Sequence, residues 1–150
     1  MPTVSRARSV PAAAEEVWRT VGDPRRLPEW WPGVERVEDV SPEAWTLVLG
    51  SPRGKAVRAD YALVESEPPR RLRWRQELAE SPFERLFSES STELELEPRS
   101  GASTALRLTA RLRLRGISRL GWLQVRRATR RQLDAALDAL SERFSSQAER

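Results

Sequence analysis

The chain contains no cysteine and no histidine, and only one tyrosine, in 150 residues. Without cysteine there can be no disulfide and no thiolate metal site. Without histidine the chain lacks the commonest general base, the commonest metal ligand and every Ser-His or Cys-His nucleophile arrangement. Any catalysis has to use carboxylates, Arg, Tyr61, Lys55 or hydrogen-bonding groups. No apolar run approaches the ~20 residues of a membrane-spanning helix, so no integral membrane segment is expected. The opening MPTVSRARSV has no apolar signal-peptide core, which makes the cytoplasm the expected compartment. There is no Gly-rich phosphate loop, no metal-ligand cluster and no close catalytic pair of carboxylates. Neither metal nor cofactor is expected, and the catalytic role, if there is one, is left unassigned.

What the chain does have is 39% hydrophobic and 32% charged residues, the composition of a soluble globular protein. Its length suits a single domain, 1–150, with one real core. The formal charge of +4 is unevenly placed, because ten arginines and no acidic residue lie between Pro98 and Leu133. Such a block can bind nucleic acid or anionic lipid, or it can be the outer face of elements with acidic neighbours. The arginines interleave with leucines that must face a core, and the tryptophans are scattered. We therefore expect no nucleic-acid partner and keep peripheral contact with anionic lipid as a weaker reading.

Periodicity gives the elements. TVSRARSV (Thr3 to Val10) reads as a strand. PAAAEEVWRTV follows as a helix, with Pro11 in its first turn and an apolar stripe of Ala14, Val17, Trp18 and Val21. Gly22 and Asp23-Pro24 end it, and PRRLPEW allows at most a short second helix. Strands are predicted at Val34 to Val40, Ala44 to Gly50, Lys55 to Ser66, Arg71 to Ala79, Phe83 to Glu97 and Ser103 to Arg115. The turn signals between them are Ser41-Pro42, Ser51 to Gly54, Pro68-Pro69, Ser81-Pro82 and Pro98 to Gly101. After Gly116 the period changes to 3.6. Trp122, Val125, Thr129, Leu133, Ala136, Leu137, Leu140 and Phe144 then share one face of a long helix, about Arg119 to Phe144.

Alternation can be pushed to a register. Turning at Pro68-Pro69 sets Leu63 opposite Trp74 and Tyr61 opposite Gln76. Pairing Glu97 with Ser103 sets Leu94 opposite Leu106, Thr92 opposite Leu108, Ser90 opposite Ala110 and Ser88 opposite Leu112. On the outer face it matches Glu93 with Arg107 and Glu89 with Arg111. Leu106, Leu108, Leu112 and Leu114 should be buried, and Arg107, Arg111 and Arg113 exposed.

This order, together with VPAAAEEVWRTVGDPRRLPEWWPGVERVE, EPPRRLRW and GWLQVRRATRRQLDAALDALSERF, resembles the START-like (SRPBCC) helix-grip superfamily, in particular its polyketide cyclase/dehydrase branch. The resemblance spans nearly the whole chain. It implies an α+β helix-grip fold. In that fold a curved antiparallel sheet wraps around a long C-terminal helix, with two short helices between the first two strands. It also implies a cavity between sheet and helix for an apolar or amphipathic small molecule, such as a lipid or polyketide. The cyclases of that branch orient a poly-carbonyl chain with Arg, Tyr, Trp and sometimes His. This chain has no His, and its strand arginines read as outward-facing.

Candidate ligand-binding residues follow. Trp30 and Trp31 lie in a segment too proline-rich for a long element. They either cap the core or line the cavity rim. Tyr61, Gln76, Ser88, Ser90 and Thr92 fall on the face that carries Leu63, Trp74, Leu94 and Leu106, and Trp45 and Trp74 would add flat walls. Trp18 and Trp122 read as plain core. Two functions stay open. One is a binder or carrier of a small hydrophobic molecule, acting as a monomer or homodimer. The other is a polyketide cyclase- or dehydratase-like enzyme that polarises carbonyls with Tyr61, Gln76 and an inward-turned Arg.

Overall fold

A computed structural model of the protein describes residues 3–50, 54–116 and 119–149. The expected turn at Ser51 to Gly54 falls mostly outside them. The element order is β1 (Thr3–Val10), α1 (Ala14–Val21), a 3-10 helix (Pro24–Glu29), β2 (Val34–Glu38), β3 (Ala44–Leu49), β4 (Val57–Glu67), β5 (Arg71–Glu77), β6 (Phe87–Arg99), β7 (Ser103–Leu114) and α2 (Arg119–Ala148). The seven strands form one antiparallel sheet in the order β1-β7-β6-β5-β4-β3-β2. This is the α+β helix-grip arrangement. The meander runs from β2 to β7, and β1 returns beside β7 with Val4 opposite Ala110 and Val10 opposite Thr104.

One face of the sheet supplies the core. Leu94, Leu106 and Leu108 are wholly buried there, as are Leu133, Ala136 and Leu140 on the facing side of α2. Burial of each Leu side chain contributes about 1.5–3 kcal/mol. Along α2 the apolar stripe is unequal. Leu133, Ala136, Leu137, Leu140 and Phe144 are buried, while Trp122, Val125 and Thr129 are only half-buried. The buried half is also tied down by ion pairs. Arg6 Nε lies 2.7 Å from Asp134 Oδ1, Arg8 pairs with Asp138, and Arg143 Nη1 lies 2.7 Å from Glu29 Oε1.

In α1, Val17 and Val21 are buried as the stripe predicts, Thr20 joins them, and Trp18 is half-buried against the core. The chain must turn at Gly22 beside the Trp18 indole, where a Cβ would come within 2.7 Å of Nε1. Asp23 then accepts a hydrogen bond from Arg25 N at 3.0 Å and opens the 3-10 helix. That helix ends with the amides of Trp30 and Trp31 both donating to Leu27 O, at 3.1 and 2.8 Å.

The β4–β5 register is as expected, with Tyr61 opposite Gln76 and Leu63 opposite Trp74. The β6–β7 register differs from expectation by two residues. Arg99, not Glu97, pairs with Ser103, so Leu94 faces Leu108, Thr92 faces Ala110 and Ser90 faces Leu112. On the outer face Glu93 meets Thr109 and Glu89 meets Arg113. The cause is a tighter turn. Gly101 and Ala102 take left-handed φ values of 75° and 56°, which lets the strands run through Pro98 to Arg99. An even shift preserves the faces. Leu106, Leu108 and Leu112 are buried, Leu114 is half-buried, Arg107 and Arg113 are exposed, and Arg111 is half-buried. β6 also starts later than expected. Residues 81–86 form turns, with Phe87 N donating to Phe83 O at 3.0 Å.

Candidate functional site

Trp30 and Trp31 belong to a cluster of five rings. Their planes are 86° apart with centroids 5.5 Å apart. Both stand edge-on to Trp74, at 6.4 and 5.8 Å, and Trp74 stands edge-on to Trp45 at 6.4 Å. Trp45 in turn lies parallel to Tyr61. The local sequence explains the convergence. The 3-10 helix delivers two successive indoles from one side, and β3, β4 and β5 deliver Trp45, Tyr61 and Trp74 from neighbouring rungs of the sheet.

This aromatic cluster divides the space over the sheet into two cavities. The first, which we call the helix cavity, has a volume of about 170 Å³. It lies at the end of the sheet where β3 and β5 finish and β6 begins. Tyr61, Gln76, Ser90 and Thr92 line it beside Trp31 and Trp74, and Thr129 and Gln132 of α2 close it. None of its described lining residues is charged. The second, the turn cavity, has a volume of about 320 Å³. It lies at the opposite end of the sheet, between the α1–3-10 junction and the β2–β3 turn, and its walls include Leu63, Leu72, Trp45 and Trp74.

Of the nine candidate residues, the structure brings Trp31, Tyr61, Trp74, Gln76, Ser90 and Thr92 together around the helix cavity. Trp30, only 2% exposed, caps the core instead and lines neither cavity. Trp45 lines the turn cavity. Ser88 does not face inward. The ladder bulges between Phe87 and Glu89, and Ser88 is exposed with its hydroxyl donating to Arg113 O at 3.4 Å. It lines a polar groove on the outer face of the sheet.

The polar groups of the helix cavity are poorly satisfied by the protein. The side-chain nitrogen of Gln76 is buried without a hydrogen-bond partner, so Gln76 and Tyr61 do not simply satisfy one another through it. Burial pushes the Tyr61 phenol up to about 12, so it is neutral and available as a donor at physiological pH. Gln76 and Ser90 flank a gap, because β5 and β6 stay paired only as far as Arg75 and Ser91. Both residues also line the outer groove. Leu49, Phe83, Phe87, Ser91, Ala110, Leu112, Thr129 and Gln132 complete the described lining, and none of them was a candidate site residue from the sequence. Phe83 and Phe87 are spaced four apart, a signal of one helical turn that a strand reading from Phe83 conceals.

The outer face carries the arginines. Glu93 is 3% exposed even though it points away from the core, because Arg71 Nε and Arg111 Nη1 close over it at 2.8 and 3.0 Å. Burial alone would push the Glu93 carboxyl up, but the hydrogen bond from Arg111 and the adjacent Arg71 guanidinium hold it below the usual carboxylate range. These arginines are thus partly consumed by an internal carboxylate, and no arginine lines the helix cavity among the described residues. Also among the described residues, no helix is long and apolar enough to cross a membrane.

Residues 1–145 match the family described as "Polyketide cyclase / dehydrase and lipid transport". No curated protein matches the chain. Among solved structures, a START superfamily protein from Mycobacterium smegmatis is 16% identical with a TM-score of 0.78, over 97% of this chain and 98% of that one. The Bacillus cereus protein XoxI is 14% identical with a TM-score of 0.80, over 99% of both chains. The di-domain ARO/CYC BexL from the BE-7585A biosynthetic pathway is 25% identical with a TM-score of 0.79. The match covers 95% of this chain and 46% of BexL, so it spans about half of that protein.

Proposed function

The chain belongs to the polyketide cyclase/dehydrase and lipid transport family, and we propose that it binds a small hydrophobic or amphipathic molecule in the helix cavity. The observation that carries this reading is the lining itself: aromatic and aliphatic walls, five uncharged polar residues on the sheet and, among the described residues, no charge. Small-molecule sites are built in this way, with apolar walls for affinity and a few polar groups for orientation. Gln76 supplies a buried N–H in need of an acceptor, and Tyr61 supplies a neutral hydroxyl. A ligand with a carbonyl or hydroxyl oxygen fits them. The test is native mass spectrometry for a co-purified molecule, with Ser90→Phe to fill the cavity. The expected result is loss of the bound mass, and of uptake of an apolar fluorescent probe, in a variant that stays folded. Unfolding of Ser90→Phe would show that the space was already full and would reject the reading.

A second reading, a cyclase-like enzyme, draws support from the likeness to BexL and from the neutral Tyr61, which could polarise a carbonyl by donating a hydrogen bond. Against it, the described lining residues include no carboxylate or arginine to move a proton or hold an enolate. Turnover of an aromatic poly-carbonyl substrate that is lost in Tyr61→Phe would favour the enzyme over the carrier.

A further inference from the structure

The turn cavity has the volume expected of a ligand site, at about 320 Å³. Its walls are Val21, Leu27, Leu63 and Leu72 with the rings of Trp45 and Trp74. Its mouth carries Asp23, Arg25, Ser41 and Ser66. The two charges at the mouth are opposite and adjacent, with Arg25 Nη1 3.8 Å from Asp23 Oδ1, so the rim presents no net charge. It offers hydroxyl, carboxylate and guanidinium groups that can donate to or accept from a neutral polar group. An ionic headgroup would meet one like charge there.

A second observation is independent of the volume. Trp45 is 5% exposed, and its Nε1–H is buried with no acceptor. A buried donor left unpaired costs stability that a ligand oxygen can recover. The two rings favour a flat partner, since aromatic pairs gain beyond simple area burial.

We infer that the turn cavity is a second ligand site, for a flat, uncharged aromatic molecule carrying one hydroxyl or carbonyl oxygen that accepts from Trp45 Nε1. It does not rest on occupancy of the helix cavity, because the two spaces lie on opposite sides of the aromatic cluster. Trp45 belongs to the turn cavity, Trp31 to the helix cavity and Trp74 to both.

The tryptophan indole N–H signals, six in all, make the test direct. The ¹⁵N-labelled protein is titrated with 2-naphthol and followed by the indole cross-peaks, assigned from single Trp→Phe variants. The expected result is a saturable shift of the Trp45 signal. The shift persists in Ser90→Phe, which fills the helix cavity, and disappears in Ser66→Phe, which blocks the mouth from an exposed position. Ser41→Phe, on another exposed mouth position, should repeat the loss if Ser66→Phe folds poorly. Trp45→Phe should weaken 2-naphthol binding about fivefold and remove its preference over naphthalene, which lacks the oxygen. A Trp45 signal unmoved at saturating 2-naphthol overturns the inference. So does a shift that survives both mouth variants, or one that Ser90→Phe abolishes while the variant remains folded. A shift of Trp31 alone would instead report the helix cavity and leave the first proposal standing without the second.

Discussion

The indole of Trp45 lies parallel to the phenol ring of Tyr61, with planes 7° apart and centroids 6.4 Å apart. The two residues are directly opposed on β3 and β4, yet Trp45 borders the turn cavity and Tyr61 the helix cavity. The pair is therefore part of the wall between the two spaces, and the phenol is held where water stabilises a phenolate poorly.

Tyr61 is the chain's single tyrosine, so the ultraviolet absorbance of phenolate reports on it alone. Burial raises it from 10.0 to about 12. The unfolded chain loses this proton first as the solution becomes alkaline. The stabilisation is therefore complete below about pH 10 and is lost as pH rises towards the folded value, a change on the order of 2 kcal/mol. Spectrophotometric titration should show a midpoint well above the ordinary one, and Tyr61→Phe should flatten the alkaline fall in stability. A native midpoint near 10 would contradict the burial of this group.

Trp74 stands at the centre of the aromatic wall and is 3% exposed. Trp74→Ala should destabilise the protein by about 3–5 kcal/mol, since the void cannot collapse against three other indoles. Trp122→Ala should cost less, because Trp122 is half-buried. Urea unfolding of both variants checks the order. In Trp74→Ala the two cavities should also merge, so that blocking substitutions at Ser66 and Ser90 no longer act independently.

Glu93 stabilises through a carboxylate held below the ordinary range by Arg111 and Arg71 against the opposing effect of burial. Its contribution is present above the unfolded-state value, near 4.3, and is lost as pH falls through the lower folded value. Glu93→Gln should cost about 1–2 kcal/mol at neutral pH. The figure is modest because both arginines are partly exposed and can turn to water. The gap between variant and wild type should close in acid, as measured by urea unfolding at neutral pH and near ~pH 3. A gap independent of pH would mean that shape, not charge, is what Glu93 supplies.

Glu29 joins two helices by accepting from Arg26 Nε at 2.8 Å and Arg143 Nη1 at 2.7 Å. The hydrogen bond from Arg26, with help from Arg143, holds its carboxyl below the usual range. Because the groups are partly exposed, Glu29→Gln should cost only about 0.5–1 kcal/mol. A double-mutant cycle with Arg143→Gln should recover a coupling of similar size, and added salt should reduce it.

Much of the fold was legible because faces follow from alternation. Leu106, Leu108 and Leu112 against Arg107 and Arg113 can be read without knowing the partner strand. Rungs are less legible. The β6–β7 hairpin repeats similar residues every second position, so a slip of two costs the pattern nothing, and only the left-handed pair Gly101 and Ala102 decides it. The helix cavity was visible as polar residues on a core face, except at Ser88, where a bulge breaks the parity that placed it inward. The turn cavity was not visible. It depends on Asp23-Pro24 and Ser41-Pro42 coming together from separate turns, and no local period encodes that meeting.

The unequal burial of α2 makes the helix a cantilever. Leu133 to Phe144 is clamped by the core and by Asp134, Asp138 and Arg143, whereas Trp122 to Gln132 projects over the helix cavity with only half-buried contacts beneath it. A beam fixed at one end yields most at the other. Thermal bending would lift Thr129 and Gln132 away from Tyr61 and Gln76 while Leu140 stays still. Amide protons should exchange with solvent in a gradient along the helix, slowest near Leu140 and fastest before Thr129. A ligand could then enter by this elastic opening, without a dedicated hinge and without unfolding the sheet.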